Sequence, residues 1–450
     1  MSLLIKNGLI VTETEVLHAD LLVEGERIAK IGAGLPDIAD TAIDAAGKIV
    51  LPGAIDSHVH FYMKTAAGRN ADDFATGSAC AICGGTTTVV DFAGPVEGAG
   101  FAQSLRLRKA EADGNIHTDY ALHMEVTGEF EQDYDDLASL LPEGVRTLKI
   151  YTTYGDSRVP DERLPALFQK AAELGLTMLA HCEDDELVTS LKHEFIAEGK
   201  TQASFHGDSR PVEAETKSIE KIMALAHEAN MRLIIAHISS GKGGRLVQAA
   251  RARGWDVSGE TCPHYLLLTD ERYLGEDPQR FIMTPPLRKA EDNKQLWELV
   301  ESGDVGVIST DHCPFTLTDK QSKEGCFEAI PGIGGCESMV SLLFSEGYAK
   351  GRLTLNELAS RLSTQAAKLY GLYPKKGVLA EGADADVVII DPDVNRTLSV
   401  KTEHSSAGYT VYEGFAVKGK PVYTILRGEI VSKNGELTAK ECRGQYVKAL

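Results

Sequence analysis

The sequence predicts an α/β fold in which an eight-stranded barrel is joined to a small β-sandwich built from both chain ends. Two observations lead to this prediction. In the middle of the chain, apolar runs alternate with helical patterns, which is typical of βα units that share a parallel sheet. At both ends, short strand-like runs are instead separated by turn residues, and neither end is expected to form a stable core alone.

The two chain ends contain the strands of the predicted sandwich. The N-terminal candidates are Leu3–Lys6, Leu9–Val11, Asp20–Val23 and Arg27–Ile31. The C-terminal candidates are Asp386–Ile390, Tyr409–Tyr412, Pro421–Leu426 and Glu429–Val431. We therefore assign residues 1–50 and 376–450 to the two parts of the sandwich, and residues 51–375 to the barrel domain.

The barrel domain contains eight strand candidates, which together with the helices between them predict a TIM-like (β/α)8 barrel. The strand candidates are Gly53–His60, Thr86–Phe92, Tyr120–Val126, Thr147–Tyr151, Thr177–His181, Arg232–His237, Asp256–Thr261 and Gly306–Asp311. The helical candidates are Leu105–Ala112, Leu164–Leu174, Asp184–Glu198, Val212–Ala229, Gly244–Arg253, Asn293–Ser302, Glu337–Ala349 and Leu355–Leu369.

Composition excludes several classes of protein. The formal charge of −20 argues against binding to nucleic acid or to an anionic membrane surface. No apolar run reaches the ~18–20 residues that span a bilayer, and the N-terminus does not have the pattern of a signal peptide. The eight cysteines are scattered, which fits a reducing compartment, so we expect a cytoplasmic protein. Cys80 and Cys83 have CxxC spacing without a second pair, which favours buried helical cysteines over a zinc site.

The first barrel strand ends in two histidines, His58 and His60. On a strand this spacing places both imidazoles on one face, because side chains alternate with period two. Two converging imidazoles suit a divalent transition metal such as zinc. The alternative is a pair of polar residues at the end of a strand, and the pair alone does not decide between these readings.

Further residues that could bind a metal follow later strands. His181 and His237 end the fifth and sixth strands, Asp311 ends the eighth, and Lys149 lies in the fourth. The carboxyl ends of the strands are where chemistry takes place in such barrels. Each histidine alone is best explained as a hydrogen-bonded core residue, but four placed alike favour a shared metal centre. The other nine histidines are expected to be structural.

Lys149 is unusual because an unpaired ammonium within a strand is costly. One interpretation is a lysine that reaches a carboxylate at the barrel mouth. The other is a lysine that reacts with CO₂ to form an anionic carbamate, which can bridge two cations about 3.5–4 Å apart. Carbamate formation requires a neutral amine, and desolvation lowers the lysine pKa in that direction.

The ordered set His58, His60, Lys149, His181, His237 and Asp311 on a (β/α)8 barrel resembles the amidohydrolase superfamily. Within it, the chain is most similar to the cyclic amidohydrolases, which are the hydantoinases, dihydropyrimidinases, allantoinases and dihydroorotases. The resemblance covers essentially the whole chain. Supporting segments include 4–8, 51–56, 84–88, 259–263, 285–288, 309–315 and 382–386.

This resemblance implies two Zn²⁺ ions per subunit. His58, His60 and Asp311 would bind the more buried ion. His181 and His237 would bind the second ion, and carboxylated Lys149 would bridge the two. A hydroxide between the ions would attack the ring carbonyl of a small cyclic amide, and Asp311 would transfer its proton to the departing nitrogen. Family members are commonly homotetramers, so the resemblance also implies a homotetramer or a homodimer.

Four positions bear on the substrate. Dihydroorotases carry an arginine where this chain has Tyr62, which disfavours a carboxylated ring. Tyr154, five residues after the lysine, matches the hydantoinase and dihydropyrimidinase tyrosine that donates to the oxyanion. Thr284 and Gly332 match positions whose backbone holds the ring amide. The resemblance therefore predicts hydrolysis of a hydantoin or a 5,6-dihydropyrimidine.

Two alternatives remain open. Hydantoinases usually have Pro-Asn-Gly where this chain has Pro331-Gly332-Ile333, and the sequence of this loop is more similar to the loops of allantoinases and dihydroorotases. The polar loop 61–70, with Lys64 and Arg69, would fit a more polar ring substituent or simply be solvated. An allantoinase-like ureide-ring hydrolase is therefore the second enzyme hypothesis. A non-catalytic dihydropyrimidinase-like scaffold protein is disfavoured, because such proteins lack several of the metal ligands that this chain retains.

Overall fold

The structure is a computed structural model that describes residues 2–65, 68–130, 132–321, 325–438 and 440–450. Residues 66 and 67 of the polar loop 61–70 therefore lie outside the described residues. The strands are β1 (Ser2–Val11), β2 (Val16–Glu24), β3 (Arg27–Gly32), β4 (Thr41–Asp44), β5 (Ile49–Pro52), β6 (Ala54–Asp56), β7 (Lys64–Thr65), β8 (Gly68–Arg69), β9 (Thr86–Ala93), β10 (Asp119–Glu125), β11 (Thr147–Tyr151), β12 (Thr177–His181), β13 (Leu233–Ile235), β14 (Val257–Thr261), β15 (Val305–Ile308), β16 (Val387–Thr397), β17 (Ala416–Leu426), β18 (Glu429–Lys433) and β19 (Glu436–Leu437).

The α-helices are α1 (Phe74–Gly84), α2 (Phe101–Ala112), α3 (Leu164–Glu173), α4 (Asp185–Ala197), α5 (Val212–Glu228), α6 (Gly241–Ala252), α7 (Pro263–Leu267), α8 (Ala290–Ser302), α9 (Leu317–Gln321), α10 (Met339–Leu343), α11 (Leu355–Ala359) and α12 (Gln365–Leu369). Phe344–Tyr348 and Ser360–Thr364 are π-helical turns that continue α10 and α11. Short 3₁₀ helices occur at Tyr134–Leu140, Gly155–Ser157, Asp161–Arg163, Ala203–Phe205, Asp270–Leu274 and Pro278–Phe281. Among the described residues, the helices are too short or too polar to cross a bilayer.

Eight parallel strands form the barrel, in the order β6, β9, β10, β11, β12, β13, β14 and β15. The eight predicted strands are confirmed. Because the strands enclose an interior and are covered outside by helices, apolar residues lie on both faces of the sheet. One set of buried side chains, including Val90, Leu179 and Ile234, fills the barrel interior. The other set, including Leu148, Ile150 and Met178, packs outward against the helices. Inward and outward residues alternate along each strand, as the period of two requires.

The barrel closes between β6 and β15 by contacts that follow the two strands. The His60 amide donates to the His312 carbonyl at 2.8 Å, and Val59 and His312 form a parallel bridge. Beneath this bridge the carboxylate of Asp56 accepts from the Thr310 amide at 3.0 Å and from the Thr310 hydroxyl at 2.5 Å. The segments that carry His58, His60 and Asp311 are thereby held side by side.

The second sheet contains strands from both ends of the chain, as predicted. Its order is β19-β18-β17-β16-β5-β1-β2-β3, with β4 paired to β1. The N-terminal and C-terminal parts meet where β5 runs antiparallel to β16, with Val50 opposite Ile389. A separate apolar cluster, with Ile5 and Leu21 from one end and Ile425 from the other, stabilises this sheet. The predicted fold class is confirmed, and the domain boundaries at residues 50 and 375 stay a prediction.

One predicted strand is wrong. Tyr409–Tyr412 forms turns, and the following strand β17 begins at Ala416. The hydroxyl of Thr410 accepts from the Tyr412 amide at 3.3 Å, and Gly414 adopts a positive φ of 83°. The apolar residues of this segment are buried against the main core and are not part of a ladder. Burial against the barrel explains a composition that is otherwise typical of a strand.

The CxxC cysteines lie in α1, as expected. This helix begins after Asp73, whose side chain accepts from the Thr76 amide at 2.8 Å, and it ends at Gly85 with φ 100°. Cys80 and Cys83 are both buried, and all eight cysteines are free thiols.

Asp119, Asp384 and Asp386 form a second group of converging carboxylates, between the barrel and the second sheet. The ammonium of Lys376 lies between them, at 2.6, 2.9 and 2.6 Å from their oxygens. All four side chains are buried. The lysine therefore supplies the positive charge that a metal would otherwise provide, and this cluster joins the two sheets as a buried ion-pair network.

Replacing Asp56 with asparagine should reduce the dependence of stability on pH. Burial raises the pKa of Asp56 to about 7, whereas an unfolded aspartate titrates near 3.9. The folded state therefore binds the extra proton between about pH 4 and 7, and its stability falls as pH rises through that window. In Asp56→Asn, the thermal midpoint should change less between pH 4.5 and 7.5 than in the wild type. Asp256→Asn, at an exposed carboxylate paired with Arg232, is the control. Identical pH profiles for wild type and Asp56→Asn would contradict this explanation.

Candidate active site

A cavity of about 1030 Å³ opens at the carboxyl ends of the barrel strands. All nine predicted site residues line it, although they come from five strand ends and two distant loops. They are His58, His60, Lys149, Tyr154, His181, His237, Thr284, Asp311 and Gly332. The structure therefore brings together residues separated by up to 274 positions, counted from His58 to Gly332.

His58, His60 and Asp311 form one cluster. Oδ1 of Asp311 lies 3.4 Å from Nε2 of His58 and 3.2 Å from Nε2 of His60. Two ligands of one zinc ion, each about 2.0–2.2 Å from the metal, are separated by about this distance in a tetrahedral site. The three side chains thus have the donor types and the spacing to hold one divalent ion.

His181 and His237 form a second cluster beside the first. Nδ1 of His181 lies 3.1 Å from Nε2 of His237, and the His237 ring centroid is 5.3 Å from that of His58. Each histidine ends or follows an apolar strand, so its ring is fixed by the barrel. A second cation could be held here by two imidazole nitrogens.

Lys149 lies on the inner face of β11 and is fully buried. Its ammonium nitrogen is 5.3 Å from the Phe92 ring and 5.0 Å from the Tyr151 ring, and among the described residues it has no hydrogen-bond partner. Nε2 of His58 and Nδ1 of His237 are likewise buried without a partner. Three buried nitrogens without a hydrogen-bond partner in one place fit a site that holds cations and a bridging ligand. The residues present therefore fit a metal centre.

Burial sets the charge state of this cluster. Desolvation, together with the neighbouring Lys149, holds the pKa of His58 and the pKa of His237 well below their ordinary value. Desolvation also lowers the pKa of Lys149. For Asp311 burial acts in the opposite direction, but His58 and the hydrogen-bonded His60 outweigh it and hold its pKa well below the usual range. Neutral imidazoles and an ionised carboxylate are the forms that bind metals.

Two buried carboxylates that the sequence analysis did not identify orient these histidines. Glu260, from β14, lies 2.7 Å from Nδ1 of His58, and Glu183 lies 2.9 Å from Nε2 of His181. Arg210 donates to Glu183 at 3.2 Å. Burial alone would raise the pKa of Glu183, but Arg210 and His181 lower it to about 2. Such partners fix the tautomer and the ring orientation of metal-binding histidines. The only sequence signal was an acidic residue within or just after a buried strand.

Tyr154 and Thr284 contact each other across the cavity. The Tyr154 hydroxyl donates to Oγ1 of Thr284 at 2.7 Å and lies 3.5 Å from Nδ1 of His181. The sequence analysis assigned only a backbone role to Thr284, so this side-chain contact is new. Tyr154, His237 and Asp311 all have positive φ values, of 80°, 34° and 50°. Such conformations are costly for these residue types and concentrate at functional sites.

Lys320 is a further buried residue that connects the loops carrying Thr284 and Gly332. Its ammonium donates to the carbonyls of Ile282, Ile330 and Gly332 at 2.6, 2.9 and 2.9 Å. The Gly332 amide also donates to the Ile282 carbonyl at 3.0 Å. Three donors on one nitrogen thus join two segments that line the cavity.

The model of the amidohydrolase family matches residues 49–431 of this chain. A D-phenylhydantoinase from Escherichia coli is 37% identical over 453 residues, which cover 100% of this chain and 98% of that protein. A D-hydantoinase from Geobacillus stearothermophilus is 36% identical over 456 residues, covering 100% of this chain and 96% of that protein.

Solved structures give the same result. The crystal structure of a dihydropyrimidinase from Brevibacillus agri superposes with a TM-score of 0.97 at 34% identity. The match covers 100% of this chain and 99% of that one. The likeness therefore extends through the barrel and the second sheet alike.

Replacing Lys320 with methionine should loosen the two loops without emptying the metal centre. Methionine has a similar volume but no donor, so the carbonyls of Ile282, Ile330 and Gly332 would lose the ammonium. Hydrogen bonds to charged groups contribute about 1.5–3 kcal/mol each, so we expect amide hydrogen exchange at Gly332 to accelerate by about tenfold or more. Metal content should not change. Lys289→Met, at an exposed lysine paired with Asp270, is the matched control. Unchanged protection at Gly332 would show that Lys320 does not hold the loops.

Proposed function

This chain belongs to the amidohydrolase family, as a cyclic amidohydrolase of the hydantoinase and dihydropyrimidinase type, and we propose that it opens the ring of a hydantoin or a 5,6-dihydropyrimidine. It is a hydrolase of carbon–nitrogen bonds in cyclic amides. The observation that supports this substrate class is the convergence of six ligand-type side chains and Tyr154 in one cavity.

We propose two Zn²⁺ ions per subunit at this centre. His58, His60 and Asp311 would hold one ion. His181 and His237 would hold the other, and a CO₂-derived carbamate on Lys149 would lie between the two sites. The buried, unpartnered nitrogen of Lys149 and its lowered pKa support carbamate formation, because only the neutral amine reacts with CO₂. When bound, such ions act as Lewis acids and lower the pKa of water to about 7, so that hydroxide is available at neutral pH.

The chain's own residues would then handle the protons and hold the ring. Asp311, ionised and facing the cavity, would accept the proton of the attacking water and deliver it to the departing ring nitrogen. The Tyr154 hydroxyl would leave Thr284 and donate to the carbonyl oxygen as negative charge develops there. The Gly332 amide is already bound to Ile282, whereas its carbonyl can accept a second hydrogen bond, so a ring N–H would donate there.

An allantoinase-like activity is the second candidate, because the segment Pro331-Gly332-Ile333 lacks the asparagine of the usual hydantoinase loop. Comparing turnover of dihydrouracil, hydantoin and allantoin on one preparation separates the two candidates.

We also propose a cytoplasmic enzyme that assembles as a homotetramer or homodimer, and the eight free thiols support a reducing compartment. Metal-free protein that stays folded but inactive with added zinc and bicarbonate would support the scaffold alternative.

Replacing Lys149 with alanine should remove the bridging ligand. We expect metal content to fall from close to two ions per chain to fewer than one, and kcat/KM for ring opening to fall by about 100-fold or more. Metal analysis of the purified variant and a ring-opening assay measure both effects. Lys289→Ala, at an exposed lysine, is the control. Full activity with full metal content in Lys149→Ala would refute the carbamate.

Replacing Tyr154 with phenylalanine should affect the chemical step more than binding. Loss of one donor to a developing oxyanion lowers kcat by about 10²–10³, while KM and metal content should change little. Steady-state kinetics with dihydrouracil and hydantoin provide the measurement. Tyr446→Phe, at a buried hydroxyl without a partner among the described residues, serves as the control. A change in KM alone would assign Tyr154 to ground-state binding instead.

A further inference from the structure

The cavity has two walls of different chemistry. The residues proposed to hold the ring amide, Thr284 and Gly332, follow β14 and β15. In the circular strand order, β10 lies directly across the barrel from β14. A ring held between Gly332 and the metal ligands would therefore direct a ring substituent toward the wall formed by the ends of β10 and β11.

Glu125, the last residue of β10, faces the cavity from this wall. It is the register partner of Lys149 on β11, and the hydroxyl of Tyr151 donates to its Oε1 at 2.6 Å. Its other oxygen, Oε2, points toward Gly94. A Cβ at Gly94 would lie only 3.0 Å from Oε2, so the glycine leaves room beside this oxygen. Glu125 is half-buried, which places its carboxylate at the edge of the site and not in bulk solvent.

Two arginines that line this side of the cavity, Arg108 and Arg69, are engaged with other carboxylates, and Lys149, the register partner of Glu125, is the lysine that the proposed function converts to an anionic carbamate. Arg108 contacts Asp91 at 2.8 Å and Glu111 at 2.7 Å, and Arg69 contacts Glu111 at 3.2 Å. Among the described residues, no lysine, arginine or histidine forms an ion pair with Glu125, whose direct partner is the neutral Tyr151. One carboxylate oxygen therefore faces the cavity without a protein donor, and a carboxylate can only accept hydrogen bonds.

We propose that Glu125 selects the substrate by accepting a hydrogen bond from an N–H group on the ring substituent. This inference rests on the proposed function and narrows it to rings with a ureido, carboxamide or amino-bearing substituent. A phenyl or alkyl substituent would remove water from Oε2 without replacing its hydrogen bond, which is costly for a charged group. A substituent with an N–H donor replaces that water and retains the hydrogen bond.

The test compares three hydantoins on zinc-loaded enzyme: allantoin (5-ureidohydantoin), 5-(3-aminopropyl)hydantoin and 5-isobutylhydantoin. Allantoin is also the substrate of the second candidate function, so the aminopropyl compound tests donor recognition independently of that candidate. We expect the wild type to have a higher kcat/KM for the first two than for the third. In Glu125→Gln the amide carbonyl can still accept from Tyr151, which turns the NH₂ group toward the substituent. The ratio of kcat/KM, donor-bearing over isobutyl, should therefore fall by about 10- to 100-fold. A larger fall for the aminopropyl substrate indicates recognition of a cation, and equal falls indicate recognition of a neutral donor.

Glu97→Gln, at an exposed glutamate of the same cavity, is the matched control and should leave the ratio unchanged. Metal content and the thermal midpoint of each variant show whether it is folded and loaded. A wild type that prefers the isobutyl substrate, or a ratio that Glu125→Gln does not change, overturns the role of Glu125. Unsubstituted hydantoin and dihydrouracil separate the two proposals: enzyme that opens neither ring nor the substituted ones overturns the proposed function as well.

Discussion

The rest of this structure depends on one constraint, which is the burial of several histidine side chains and one lysine side chain away from water. Four histidines and a lysine meet at the end of a closed barrel, where hydration cannot stabilise their charged forms. This burial lowers the pKa of His58, His181, His237 and Lys149. Desolvation lowers the pKa of His58 and of His181, although Glu183 acts in the opposite direction on His181. Glu260 and Glu183 each lie against one ring nitrogen of these two histidines, which leaves the other nitrogen directed into the cavity.

Three lysines are fully buried among the described residues, Lys149, Lys320 and Lys376, and the surroundings of their amino groups differ. Lys376 is surrounded by three carboxylates, and Lys320 donates to three backbone carbonyls. Both have acceptors for every proton of an ammonium. Lys149 has none among the described residues, and aromatic rings lie beside it. The first two arrangements hold segments of the fold together. Burial lowers the pKa of Lys320 to about 7 and also lowers the pKa of Lys149, but the Lys149 amine faces the cavity without an acceptor among the described residues and is therefore open to chemical modification.

The barrel strands and the placement of the metal-site residues could be predicted because both depend on local patterns. An apolar run that ends in histidine or aspartate identifies a strand and its inward-facing terminus together. Glu260 and Lys320 gave no such signal, because an acidic residue in a strand and a lysine in a short helix are common at surfaces. Their roles arise from partners more than 30 positions away in the sequence, as for Glu260 with His58, or from backbone carbonyls, as for Lys320. The error at Tyr409–Tyr412 has the same origin, since contact with the barrel and not strand pairing explains its apolar residues.

The sheet shared by both chain ends also determines when the molecule can be completed during synthesis. Strand β5 finds its antiparallel neighbour only in β16, and the backbone near Tyr120 pairs with Gln445 and Val447 at the far end of the chain. At typical translation rates of about 5–20 residues per second, β5 leaves the ribosome on the order of half a minute before β16. The edge of β5 that pairs with β16 therefore stays unpaired while the barrel residues are synthesised. An unpaired strand edge promotes aggregation, so the nascent chain is most prone to aggregate before β16 emerges.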